Sequence, residues 1–172
     1  ERTRAQLQRC LDAEPAAQGV LCADNHLGYS MPIGGVVAYR HHASPSGVGY
    51  DIACGNCAAR TDLLAADVDV GRVMDEVAKV ISFGMGRANG ERVDDHPVYD
   101  RILQSQVLQQ RALFQSARDQ LGTVGSGNHY VDLFEDRADG RLWVGVHFGS
   151  RGFGHKTACG FLALAASKDW ED

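Results

Sequence analysis

The chain has 172 residues, 44% of them hydrophobic, and 17 Lys and Arg against 22 Asp and Glu give a net charge of −5. A chain of this length buries roughly two-thirds of its unfolded surface, and the acidic balance argues against a general nucleic-acid coat while leaving room for a local basic groove. No apolar run approaches the ~20 residues of a membrane span, and the five cysteines are an odd set with no short-spaced framework, so reduced thiols and a cytoplasmic location are expected.

Apolar positions Ala5, Leu7 and Leu11 predict an amphipathic helix over Arg2–Leu11. Gly19–Ala23 reads as a buried strand running into Asp24-Asn25-His26, and Ile33–Tyr39 as a second strand. Ser46–Asp51 is a loop or bulged strand, and Ala58–Asp62 another strand. Asp69 opens a helix on which Val70, Val73, Met74, Val77, Val80 and Ile81 repeat at helical spacing, stopped by Phe83-Gly84-Met85-Gly86. The polar stretch Arg87–Asp95 reads as a mobile loop, and Tyr99–Leu121 as one long helix with room for an interruption. Gly122–Gly127 breaks it. Tyr130–Phe134 and Leu142–His147 form strands joined across Asp139-Gly140, a hairpin signal, and the chain turns helical again from His155. Strands and helices mix without βαβ alternation, which makes the class α+β.

Three Gly-punctuated segments carry chemistry. Asp51 and Cys54 stand three apart, either as ligands of a borderline divalent cation or as a turn former and a small buried residue. Gly122–Gly127 leads into Asn128-His129, so that loop N–H groups could meet a phosphate while His129 offers a ring nitrogen; it lacks the Lys of a Walker loop. His147 ends an apolar strand and is followed by Gly149-Ser150-Arg151-Gly152, a metal ligand beside a phosphate clamp or else a core histidine beside a surface arginine. Cys54-Gly55-Asn56-Cys57 also matches Cys-x-x-Cys, but the residues after it read as strand rather than as the helix that a redox motif opens.

Taken together these segments resemble the RtcB family of RNA-splicing ligases. Ala23–Tyr29 with Pro32–Val36 is similar to that family's Asp-x-His-x-Gly-Tyr and Pro-Ile-Gly-Gly-Val opening. Gly47–Gly55 resembles Gly-Val-Gly-Phe-Asp-Ile-Asn-Cys-Gly, Gly122–His129 resembles Gly-Thr-Leu-Gly-Gly-Gly-Asn-His, and His147–Gly152 resembles His-Ser-Gly-Ser-Arg-Gly. The resemblance implies an RtcB-like fold in which residues 1–172 form the metal-binding portion of one catalytic domain. It implies a GTP-dependent ligase that joins RNA 3′-phosphate or 2′,3′-cyclic phosphate ends to 5′-hydroxyl ends at a two-Mn²⁺ site. Asp51, Cys54 and His129 would hold one ion; Cys54 and His147 would hold the other, with a further His expected beyond Asp172. Asn128 and Asp132 would contact the nucleotide, and Arg151 an RNA phosphate. The partners implied are RNAs with broken ends, such as tRNA halves, and an accessory activator protein. Three departures stand out. The family's guanylylated His lies in a C-terminal half expected beyond Asp172. Asp132 stands where many members carry Glu. Ala53 replaces the usual Asn, and Phe148 the usual Ser. A metal- and nucleotide-binding paralogue without ligase activity is therefore the alternative.

Overall fold

In the computed structural model, which describes residues 1–171, helices and strands mix as an α+β fold. The elements are α1 (Arg2–Leu11), β1 (Gln18–His26), β2 (Ile33–Ala38), α2 (Pro45–Val48), β3 (Gly55–Leu64) and α3 (Val70–Val80). They continue with α4 (Pro97–Leu103), α5 (Leu108–Ala112), α6 (Phe114–Gln120), β4 (Tyr130–Glu135), β5 (Arg141–Phe148) and α7 (Arg151–Ala165). The chain divides into two compact units, one of Glu1–Tyr50 with the chain from Ala158 onward, the other of Asp51–Thr157. Among the described residues no helix is long and apolar enough to cross a membrane.

In the first unit β1 and β2 pair antiparallel, with Val20 opposite Val36. Helix α1 lies close on Gly19, where a Cβ would come within 3.0 Å of Leu11 Cδ2 and 3.2 Å of Leu7 Cδ1. Gln6 fastens α1 to Gly28 through both ends of its amide, donating to the carbonyl (2.8 Å) and accepting from the N–H (3.2 Å). After the helix, Glu14 is buried and accepts from the N–H groups of Arg40 (2.6 Å) and His41 (3.2 Å) and from His42 Nδ1 (2.6 Å).

The second unit is built on an antiparallel sheet in the order β3-β5-β4. In that register His147 of β5 stands opposite both Asn56 of β3 and Tyr130 of β4, while Val146 stands opposite Cys57 and Val131. Successive side chains alternate between faces, so His147, Asn56 and Tyr130 share one face. Cys57, Val131 and Val146 share the other. That second face meets Val77 of α3, Ile102 of α4 and Ala117 of α6 around an apolar cavity of about 850 Å³.

Several elements differ from the sequence expectation. The helix expected over 99–121, with room for an interruption, is broken twice, into α4, α5 and α6. Ser105 Oγ accepts from Val107 N–H (3.2 Å) and donates to Gln110 Oε1 (2.7 Å), so a side chain takes over a backbone partner where a continuous helix would run. Leu113, at φ −85° and ψ 2°, marks the second break. The segment Arg87–Asp95 has no regular structure, yet it is fastened to α6 by ion pairs Arg92–Asp119 (2.8 Å) and Arg118–Asp94 (2.7 Å), and by Asn89 donating to the Leu121 carbonyl (2.8 Å). Within Ser46–Asp51 the expectation is a loop or bulged strand, but Pro45–Val48 forms α2, with Ser44 Oγ accepting from Gly47 N–H (3.1 Å) and Pro at the first helical position. Helix α3 follows the expectation: the Asp69 carboxylate accepts from Arg72 N–H (3.0 Å), and Ile81 leaves helical geometry. The last helix opens at Arg151, ahead of His155.

Candidate metal centre

Four side chains from three segments of the second unit converge at the end of the sheet. Asp51 and Cys54 come from the turn that feeds β3, His129 from the loop just before β4, and His147 from the end of β5. The turn is tight: Cys54 N–H donates to the Asp51 carbonyl (3.3 Å), and Ala53 between them has φ 61°. A non-glycine residue in that left-handed region costs about 1–2 kcal/mol. The Gly-rich approach to His129 has positive φ at Gly122 (84°), Gly125 (117°) and Gly127 (80°). Gly125 allows a close crossing, since a Cβ there would lie 2.5 Å from His129 Nδ1 and would overlap the Arg151 guanidinium.

Cys54 is the hub. Its Sγ lies 3.2 Å from His147 Nε2 and 3.4 Å from His129 Nε2. One ligand atom each from Cys54, His129 and His147 falls within 4.8 Å of the others. Asp51 joins them, its Oδ2 2.9 Å from His129 Nε2. His147 gives its Nδ1–H to the Gly55 carbonyl (3.0 Å), which leaves the Nε2 lone pair directed at Cys54. The His129 side chain is 8% exposed, and its Nδ1 is a buried nitrogen with no hydrogen-bond partner among the described residues.

The electrostatics follow from this crowding. Burial alone would raise the Asp51 carboxyl, but hydrogen bonds from the Ser150 hydroxyl and N–H and from Cys54, with the charge of His129, hold it below the usual carboxylate range. Burial, and then the hydrogen bond and charge of Asp51, push the Cys54 thiol up to about 11. Without a cation the thiol therefore keeps its proton at neutral pH. A divalent cation would reverse that preference, since it takes the thiolate as ligand. A thiolate, two imidazole nitrogens and one carboxylate oxygen make a donor set for a borderline transition metal, so the residues fit such an ion.

The structure thus brings together Asp51, Cys54, His129 and His147. Asn128 adjoins His129 on the exposed loop, and Asp132 is exposed on β4, opposite Gly145 and on the sheet face that carries His147. Arg151 sits at φ 55° with Nε on Thr123 Oγ1 (2.9 Å) and Nη2 on the Gly84 carbonyl (2.9 Å), so it braces two loops behind His129. Burial lowers its pKa, against the pull of Asp51. Cys57 projects from the opposite sheet face and is not part of the cluster, which removes the Cys-x-x-Cys reading. Sequence reading missed Ser150 as a member of the site. Its N–H (2.7 Å) and Oγ (2.6 Å) both donate to Asp51 Oδ1.

The fold and the cluster define an α+β protein in which Cys54, His129 and His147 are grouped closely enough that they could hold a metal ion. Its sequence matches the family described as tRNA-splicing ligase RtcB over residues 7–171, and the chain belongs to that family. Among curated relatives, the tRNA-splicing ligase RtcB of Pyrobaculum aerophilum is 30% identical over 87% of this chain and 40% of its own length. That of Aeropyrum pernix is 31% identical over 84% and 40%, and the RNA-splicing ligase RtcB of Escherichia coli K12 is 32% identical over 83% and 38%. The chain spans about 40% of the length of these relatives. No solved structure matches.

Proposed function

We propose that this chain is the metal-binding portion of an RNA ligase that joins RNA 3′-phosphate or 2′,3′-cyclic phosphate ends to 5′-hydroxyl ends, using GTP and Mn²⁺. The observation that carries the reading is the convergence of Asp51, Cys54, His129 and His147, drawn from the segments whose motifs resemble the family. In this reading Asp51, Cys54 and His129 hold one ion, and Cys54 is shared with a second ion at His147. Bound divalent cations would offset charge on phosphoryl oxygens during transfer.

The chain's own residues then have defined tasks. Gly55 orients His147, and Asp51 Oδ2 faces the His129 Nε2 beside which it would hold the ion. Asn128, on the loop beside His129, is positioned to contact a nucleotide phosphate, with Asp132 further along β4. Arg151 commits Nε and Nη2 to protein oxygens, so an RNA phosphate would meet its remaining Nη1. RNAs with broken ends, an accessory activator protein and a cytoplasmic setting belong to the same proposal.

The test is label transfer on the native full-length protein with radiolabelled GTP and Mn²⁺, read on a denaturing gel. A covalent guanylate that Cys54→Ala abolishes supports the ligase. Mn²⁺ binding without label favours the second reading, a metal- and nucleotide-binding paralogue without ligation, for which the departures at Ala53, Asp132 and Phe148 are the specific observation.

A further inference from the structure

Asp51 has two carboxylate oxygens with different surroundings. Oδ1 accepts two hydrogen bonds from one residue, the N–H (2.7 Å) and hydroxyl (2.6 Å) of Ser150, while Oδ2 faces His129 Nε2 at 2.9 Å. Ser150 immediately precedes α7, and its carbonyl accepts from Gly154 N–H (3.0 Å). The space around it is shaped for this pairing. A Cβ at Gly154 would overlap Ser150 Oγ and Cβ, and a Cβ at Gly149 would lie 3.0 Å from Asp51 Oδ2 and 2.5 Å from His129 Cε1. Two glycines thus let one serine reach one oxygen of one carboxylate.

We propose that Ser150 is a positioning residue for the metal centre: by saturating Oδ1 it makes Asp51 a one-oxygen ligand whose Oδ2 stays aligned with His129 and Cys54. This rests on the metal-binding reading given above. Ser150 does not touch the ion itself. It acts through Asp51 by fixing the rotation of the carboxylate, which would otherwise be free to turn or to offer both oxygens. Partners of this kind, one step removed from the ion, typically contribute about 10–100-fold in metal affinity.

The experiment is a double-mutant cycle on Co²⁺ binding, followed by calorimetry and by the cobalt absorption spectrum, in wild type, Ser150→Ala, Asp51→Ala and the double variant. Ser150→Ala is expected to weaken Co²⁺ binding about 10–100-fold and to change the ligand-field bands while keeping the thiolate-to-cobalt band. In the Asp51→Ala background the same change is expected to have no further effect, because a positioning role has nothing left to position. An equal loss in both backgrounds, or a lowered Tm with unchanged Co²⁺ affinity, would overturn the proposal. Were the wild type to bind no Co²⁺, the metal reading itself would fail. A crystal structure of metal-free Ser150→Ala then decides the role of Ser150. An Asp51 carboxylate turned away from His129 supports it, and one left in place refutes it.

Discussion

His147 and Cys54 are joined through a division of labour on one imidazole ring: Nδ1–H donates to the Gly55 carbonyl at 3.0 Å, and Nε2 faces Cys54 Sγ at 3.2 Å. The carbonyl sets the tautomer, because a nitrogen that donates to C=O leaves its partner with the lone pair. The ring is thereby oriented by backbone that adjoins the cysteine in sequence. The turn into β3 contributes the thiol, and the first residue of the strand the acceptor that aims the histidine, so the local geometry of Cys54-Gly55 organises half of the site.

The two cysteines of Cys-x-x-Cys are expected to behave differently. Cys54 lies at the cluster, whereas Cys57 stands opposite Val146 on the other sheet face. Cys54→Ala should abolish the thiolate-to-cobalt absorption and lower Co²⁺ affinity by more than the ~100-fold upper range of outer-shell changes. Cys57→Ala should leave both within about threefold, the context scatter of a distant substitution. Equal losses in the two variants would remove Cys54 from its central position.

Metal binding should strengthen with rising pH. The thiol of Cys54 is pushed up to about 11 in the metal-free protein, so the first ion bound at neutral pH must displace its proton. One proton released with that first ion makes its apparent affinity climb roughly tenfold per pH unit between neutrality and that value. Co²⁺ titrations at three pH values in different buffers measure the slope. Cys54→Ser, which cannot ionise in this range, should flatten it. A pH-independent affinity in the wild type would show that the thiolate is not a ligand.

Much of this site was legible because its ligand types stand beside glycines, and the positive φ angles at Gly125 and Gly127 show why those positions require them. Helix α3 was legible from its apolar spacing and its Asp69 cap. Ser150 was not, since its partner Asp51 is 99 residues away and a Gly-Ser-Arg-Gly turn carries no periodic signal of that pairing. The break around Ser105 was hidden for a similar reason: the apolar pattern continues through it, and local side-chain bonding overrides it. Arg151 read as a phosphate clamp from its neighbours, while the structure engages it with Thr123 and Gly84.

Ala53 is a site where stability can be gained. Its φ of 61° is left-handed, where an alanine Cβ is strained and glycine is not. Asparagine also tolerates this region better than alanine. Ala53→Gly and Ala53→Asn should each stabilise the fold by about 1 kcal/mol, the glycine by somewhat less because of its unfolded-state entropy. Urea unfolding measures the change, and a destabilised Asn variant would contradict the strain argument.

Glu14 should make the first unit sensitive to acid. Its carboxylate is buried and accepts from Arg40 N–H, His42 and His41 N–H; of these the Arg40 bond is the largest influence, and together they hold its pKa below the ordinary value of 4.5 against the effect of burial. A carboxyl whose folded-state pKa is depressed binds its proton more readily when unfolded. The stability it supplies is therefore fully present above about pH 4.5 and is lost as pH falls through the lower folded-state value. Glu14→Gln removes the ionisation and turns an amide NH₂ toward groups that are themselves donors. Its Tm should fall below that of the wild type at pH 7, with the gap narrowing steadily toward pH 3. Hydrogen exchange at the Arg40 and His41 amides reads the same loss locally, and a Tm difference that stays constant across this range would show that the Glu14 charge does not hold the 40–42 segment.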